Sequence, residues 1–169
     1  MKKQLLFLLS IICLCGCNQL TINDIAGDYS YATSGMLTLT EGTTIYDVSL
    51  DNVMGTLDIQ RLPQGDSILL VFNELLGDLV TVRAEVKGDS ILMPTYQKVF
   101  SITTEANNSL IDIIPTRSKY IVSLTGDGYI MDDMIVFNQR INSGKLLENG
   151  RTVTVKSNSI KTVAKKNKK

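Results

Sequence analysis

From Leu20 onward the apolar residues of this 169-residue chain recur at every second position or in short continuous runs, a rhythm that confines the fold to β-structure. Val80, Val82, Ala84 and Val86 alternate with Thr81, Arg83, Glu85 and Lys87. Successive side chains of an extended chain point to opposite faces, so this segment is a strand with one face in a core and one in water. Similar segments, rich in β-branched residues, fall at 37–40, 45–50, 56–62, 68–72, 91–93, 99–103, 110–114, 120–124, 129–137 and 152–156. No window long enough for an ordinary helix has a 3.6-residue period, and residues 73–79 and 143–149 read as single turns or loops.

The turns agree with the strands. Gly-Asp recurs at 27–28, 65–66, 77–78, 88–89 and 126–127. Gly tolerates positive φ and Asp bonds its own backbone, so each pair can reverse the chain. Gly65-Asp66-Ser67-Ile68-Leu69 returns as Gly88-Asp89-Ser90-Ile91-Leu92, which reads as successive hairpins of one meander. Pro63, Pro94 and Pro115 are each expected at a strand end, where the missing amide does little harm. Many short strands at this spacing predict an all-β domain: an antiparallel up-and-down barrel, or alternatively a β-sandwich.

Composition narrows the chemistry. The chain has no histidine, which excludes Ser-His-Asp and Cys-His nucleophiles and His-ligated zinc or iron. Outside the first sixteen residues and the last nine, ten basic side chains face seventeen acidic ones. A diffusely acidic body argues against nucleic acid as a partner, since that ligand rewards a clustered basic face. The last nine positions carry five lysines and read as a solvated, disordered tail; the other reading is a tether to anionic headgroups or sugars.

The first seventeen residues resemble a bacterial lipoprotein signal peptide. Lys2 and Lys3 precede an apolar run from Leu5 to Leu14, which ends at Leu14-Cys15-Gly16-Cys17. About ten apolar residues are too few to span a bilayer core that needs roughly 20, so the run is a removable leader. The resemblance implies a diacylglycerol on the Cys17 thiol and a further acyl chain, such as palmitate, on its freed amine. Asn18, in place of the Asp of inner-membrane retention signals, favours the outer membrane, on a face the sequence does not specify. Cys13 and Cys15 would leave with the leader and Cys17 would be blocked, so no internal disulfide forms. The expected layout is a signal peptide over 1–16, an acylated cysteine and short tether over 17–24, an all-β domain over 25–158 and the basic tail over 159–169.

At the start of the domain, Ile25-Ala26-Gly27-Asp28-Tyr29 resembles the Gly-x-Trp opening of the lipocalin and calycin group, whose first strand begins an up-and-down barrel with the aromatic plugging its closed end. Tyr29 stands where that group has Trp, and Arg117, Arg140 and Arg151 are all candidates for a basic packing partner.

Candidate sites are few. Asp66-Ser67-Ile68 and Asp89-Ser90-Ile91 resemble the Asp-Ser/Thr-aliphatic acceptor of bacterial O-glycosylation, which would place sugars on Ser67 and Ser90 at exposed hairpin tips; ordinary turn chemistry is the other reading. Asp127, Asp132 and Asp133 form the densest acidic cluster, but in a strand Asp132 and Asp133 would face opposite ways and could not share one Ca²⁺. A carboxylate pair for glycoside hydrolysis has no motif behind it. No catalytic residue, metal site or cofactor is assigned. The expectation is a non-catalytic binding or interaction module in the cell envelope. Its partners would be the membrane through the anchor, and a small apolar ligand or an envelope protein. A structural or accessory subunit of an outer-membrane assembly and a carboxylate-dependent enzyme are the alternatives.

Overall fold

The alternation over 79–87 is reproduced in burial, with Val80, Val82, Ala84 and Val86 inside and the five residues between and around them exposed. A computed structural model describes residues 22–41, 43–50, 53–63, 65–75, 78–105, 115–146 and 154–168. After one helical turn, α1 (Ile22–Ile25), come β1 (Gly27–Glu41), β2 (Thr44–Ser49), β3 (Val53–Arg61), β4 (Ser67–Glu74) and β5 (Leu79–Lys87). They are followed by β6 (Ser90–Glu105), β7 (Pro115–Met131), β8 (Met134–Leu146) and β9 (Thr154–Lys166). The leader and Cys17 lie outside the described residues, as does the strand expected at 110–114.

The strands form a closed, eight-stranded antiparallel barrel with almost no helix, which bears out the barrel and sets aside the sandwich. Nine strands fill eight positions because β2 and β3 lie end to end beside β1. Met36 pairs with Ser49 and Thr33 with Val53, while the Leu50 amide donates to the Gly35 carbonyl at 2.8 Å between them. The barrel closes where β9 runs antiparallel to β1, from Tyr29↔Lys166 to Thr40↔Thr154.

That closure corrects the expected disordered tail. Residues 159–166 belong to β9, with Ile160, Thr162 and Ala164 buried and Lys161, Val163 and Lys165 exposed. The lysines mark a solvent face rather than a loose end. Residues 73–79 and 143–149 also differ from expectation, since Asn73 and Glu74 finish β4, Leu79 starts β5 and β8 runs on to Leu146.

The two repeated Gly-Asp turns sit at the same end of the barrel, and each needs glycine: φ is +56° at Gly65 and +59° at Gly88. The stretch expected as one strand over 129–137 is instead a hairpin. Asp132 and Asp133 form its turn, with Asp132 at φ +49°, a left-handed value that Asp tolerates better than most residues.

Two apolar clusters fill the described interior. One packs Ile25, Leu57, Leu70, Ile91, Ile135 and Phe137 towards the Gly-Asp turns, with an edge-on aromatic series Tyr31–Phe72–Phe137 at centroid distances of 5.5 and 5.7 Å. The other packs Leu37, Leu39, Phe100, Val122, Leu124 and Ile160 towards the opposite end. The tyrosine of the opening motif closes the first cluster. Tyr29 is buried, its hydroxyl donates to the Ile25 carbonyl at 2.7 Å, and Lys166 Nζ lies 5.8 Å from its ring centroid. Among the described residues the basic partner comes from β9; of the three arginines considered above, Arg151 and the side chain of Arg117 lie outside the described residues.

Candidate functional site

One strand junction is incomplete. In the register set by Lys87↔Ser90, Val86↔Ile91 and Glu85↔Leu92, the next hydrogen-bonded pair would be Arg83 with residue 94. Residue 94 is proline, which has no N–H to give. The ladder stops there, and β6 shifts register against β7 between Met93 and Tyr96. Pro94 thus stands inside β6, not at its end, and it opens a lateral slot between β5 and the rest of β6.

The Val86 amide donates to the Asp66 carbonyl on the β4 side at 2.8 Å. By strand alternation, the N–H and C=O groups of Leu79, Thr81 and Arg83 point the other way, into the slot. Leu79 and Thr81 have no partner in the β5–β6 ladder among the described residues. Outside the slot lies a groove of about 430 Å³ walled by Ser67, Arg83, Glu85, Leu92 and Pro94. Leu92, in the groove wall, is 40 % exposed, and Leu79, at the start of β5, is 63 % exposed.

Behind the slot, a polar layer separates the two apolar clusters. Lys98 and Glu74 form an ion pair with side chains only 6 % and 8 % exposed, and Lys98 Nζ sits 4.8 Å from the Phe100 ring centroid. Thr33 and Thr162 share a hydroxyl hydrogen bond of 2.7 Å, and Gln139 Nε2 donates to Thr162 Oγ1 at 3.1 Å. Tyr96 packs against both clusters. Tyr31 Oη and Gln139 Oε1 are buried without a hydrogen-bond partner among the described residues. Gly55 makes room for Tyr31, since a Cβ there would come within 2.8 Å of the Tyr31 ring and hydroxyl. The space among Thr33, Phe72, Val80, Tyr96, Lys98 and Gln139 is too small to hold a water molecule. No sequence motif announced this layer, because its members come from five strands, β1, β4, β6, β8 and β9.

Burial pushes the Tyr29 phenol up to about 12. It also raises Tyr31 and Tyr96, and the nearby Glu74 carboxylate raises both further. The unfolded chain gives up these three protons from pH 10.0 upward, whereas the barrel holds them. Above that pH the unfolded state binds fewer protons, so stability falls as pH rises; below it both states are protonated and the contribution is constant. The urea midpoint should be flat up to about pH 9 and then decline, by up to about 1.4 kcal/mol per pH unit for each tyrosine still protonated in the fold. A midpoint unchanged at about pH 11.5 would mean these phenols are open to solvent.

The sites expected from sequence fall apart in space. Ser67 and Ser90 are the first residues of β4 and β6, half-buried beside their turns rather than at exposed tips, and Ser67 joins the groove wall. Asp127 lies within β7, and Asp133 is 3.9 Å from Lys165. Among the described residues no three acidic side chains converge as metal ligands, and no helix is long and apolar enough to cross a membrane. A separate outward row, Tyr129, Val136, Val163, Ala32 and Met54, follows the paired registers across β7, β8, β9, β1 and β3.

No family model matches the chain, and no curated protein matches it. Among solved structures, the chain is similar to a crystal structure of a DUF3598-family protein of unknown function from Nostoc punctiforme PCC 73102. The sequence identity is 16 % and the TM-score 0.33, over 89 % of this chain and 53 % of that one. The chain therefore spans about half the length of that neighbour.

Proposed function

We propose that this protein is a lipid-anchored barrel of the outer membrane that acts as a non-catalytic interaction module. The observation that carries the reading is the interrupted β5–β6 ladder: an open main-chain edge and a groove face outward, while the polar layer behind them has no room for a water molecule. A carrier of small apolar ligands would need an apolar cavity inside, which the space in this layer does not supply. The same outward edge suits a subunit of an outer-membrane assembly, with another envelope protein as partner.

The anchor rests on Leu14-Cys15-Gly16-Cys17, with acylation at Cys17. A cation over the ring of Tyr29 supports the finer likeness to the lipocalin and calycin group.

Intact-mass spectrometry of the protein extracted from its native envelope in mild detergent tests both halves of the reading. The expected mass is that of residues 17–169 plus acyl groups, with nothing retained that leaves on denaturation. An unprocessed or unacylated chain would remove the anchor, and a co-released small molecule would make the protein a carrier. Peptide mapping of the same sample reads Ser67 and Ser90; unmodified peptides at both would end the glycosylation idea.

A further inference from the structure

We propose that the outward wall formed by β8, β9 and β1 lies against the phospholipid surface that holds the anchor. The inference rests on the lipid-anchored reading and adds which face of the barrel meets the bilayer. In register, Tyr129, Val136, Val163, Ala32 and Met54 cross this wall and its two neighbouring strands as one outward row. Tyr129, Val163 and Met54 are 50 %, 37 % and 53 % exposed. The outward positions of a solvated antiparallel sheet are ordinarily polar, so a continuous apolar row points to a partner.

Charge and tether length say which partner. Over 30–36, 134–140 and 161–165 the wall carries Arg140, Lys161 and Lys165 outward and no carboxylate, on a body where seventeen acidic side chains face ten basic ones. Asp133, at the adjoining turn, is 3.9 Å from Lys165 with both side chains more than half exposed, so it holds that lysine only loosely. Cations beside an exposed apolar row suit the boundary between anionic headgroups and acyl chains. Lys166 Nζ donates to the Asp24 carbonyl at 2.5 Å, which sets α1 at the end of β9, the middle strand of the wall. Cys17 is five residues before Ile22, and a chain of that length spans at most about 18 Å. The acyl chains therefore keep the end of β9 within that reach of the headgroups. The barrel end beside α1 is also within reach, but its turn carboxylates, Asp66, Asp89, Asp132 and Asp133, offset the lysines there.

The chain has no tryptophan, so a single introduced one reports alone. Val163→Trp puts it at the centre of the row, and Thr81→Trp puts it at an exposed position of β5, four strand positions away around the barrel. Each full-length chain is purified from its native envelope and reconstituted into vesicles of phosphatidylglycerol and phosphatidylcholine, the latter brominated on its acyl chains to quench tryptophan that reaches them. Intact mass and flotation with the vesicles read the anchor separately. We expect both chains to be acylated and to float, with Val163→Trp blue-shifted and quenched and Thr81→Trp neither. Adding Lys161→Glu and Lys165→Glu to the Val163→Trp chain should move the docking equilibrium about tenfold or more towards the undocked form and leave flotation unchanged.

Acylated chains that float with position 163 unquenched, or with both positions quenched alike, would overturn the docked wall and leave the anchor standing. A blue shift at 163 without quenching would mean that protein covers the row, a second copy foremost, and would overturn it as well. A chain that is unacylated yet quenched at 163 alone would keep the wall and remove the anchor, and one that is unacylated and unquenched at 163 would end both. Ala32→Trp, paired with Val163 across the β1–β9 ladder, should repeat the quenching and keeps the test independent of any one substitution.

Discussion

A chain ending at Asn158 should fail to fold. It lacks Ile160, Thr162 and Ala164, each 1 % exposed or less, and it loses the β9 ladder to β1 from Tyr29 to Met36 along with the β8 pairings from Met134 to Gln139. Two strand edges then open in a barrel whose interior has lost one wall. A single domain is stable by only about 5–15 kcal/mol, and the loss of most of the closing strand exceeds that. Circular dichroism during urea titration should show no cooperative transition for this variant. A chain ending at Asn167 keeps the Asn167 amide to Asp28 carbonyl bond of 2.9 Å and should unfold close to the parent midpoint. If the shorter chain melted cooperatively at the parent temperature, the 159–169 segment would be the loose tail its lysines suggest.

Lys98→Met should cost about 3–5 kcal/mol, because it leaves the Glu74 carboxylate buried without its counter-charge. Glu74→Leu alone should cost a similar amount by stranding the ammonium. The double variant Lys98→Met/Glu74→Leu should return to the parent stability or exceed it, since a buried ion pair replaced by apolar groups of similar size is often neutral or stabilising. Urea midpoints at constant m-value measure all three. Single losses below about 1 kcal/mol would mean that water reaches the pair, as at a surface bridge, and the slot beside Tyr96 would be its route.

The ion pair also explains why this part of the molecule was not legible beforehand. Glu74 ends β4 and Lys98 lies inside β6, in a stretch of mixed polarity that carries no motif. Only barrel curvature and the register shift after Met93 turn Tyr96, Lys98 and Phe100 inward together. Pro94 was conspicuous in the sequence, but its effect depends on register. One residue along, its missing N–H would have faced away from β5 and the ladder could have continued.

β9 was hidden for another reason. Ile160, Thr162 and Ala164 are an inward face of one large and two small residues, set among lysines that satisfy the solvent face. A search for bulky apolar alternation passes over such a strand, and a count of charge reads it as a tail. In the interior the small residues suit a wall that meets large side chains from across the barrel.

By itself the sequence determined the local rules. Period-two burial made strands, the Gly-Asp pairs at 65–66 and 88–89 made turns while those at 27–28 and 126–127 lie within β1 and β7, and a meander of antiparallel neighbours followed, because side-chain alternation and positive φ are properties of a few consecutive residues. Closure of the barrel through β9, the cation over Tyr29, the Lys98–Glu74 layer and the slot beside β5 were decided only by the tertiary structure. Each joins residues far apart in the chain, and which of them meet depends on strand register and barrel geometry, quantities that no local stretch of sequence encodes.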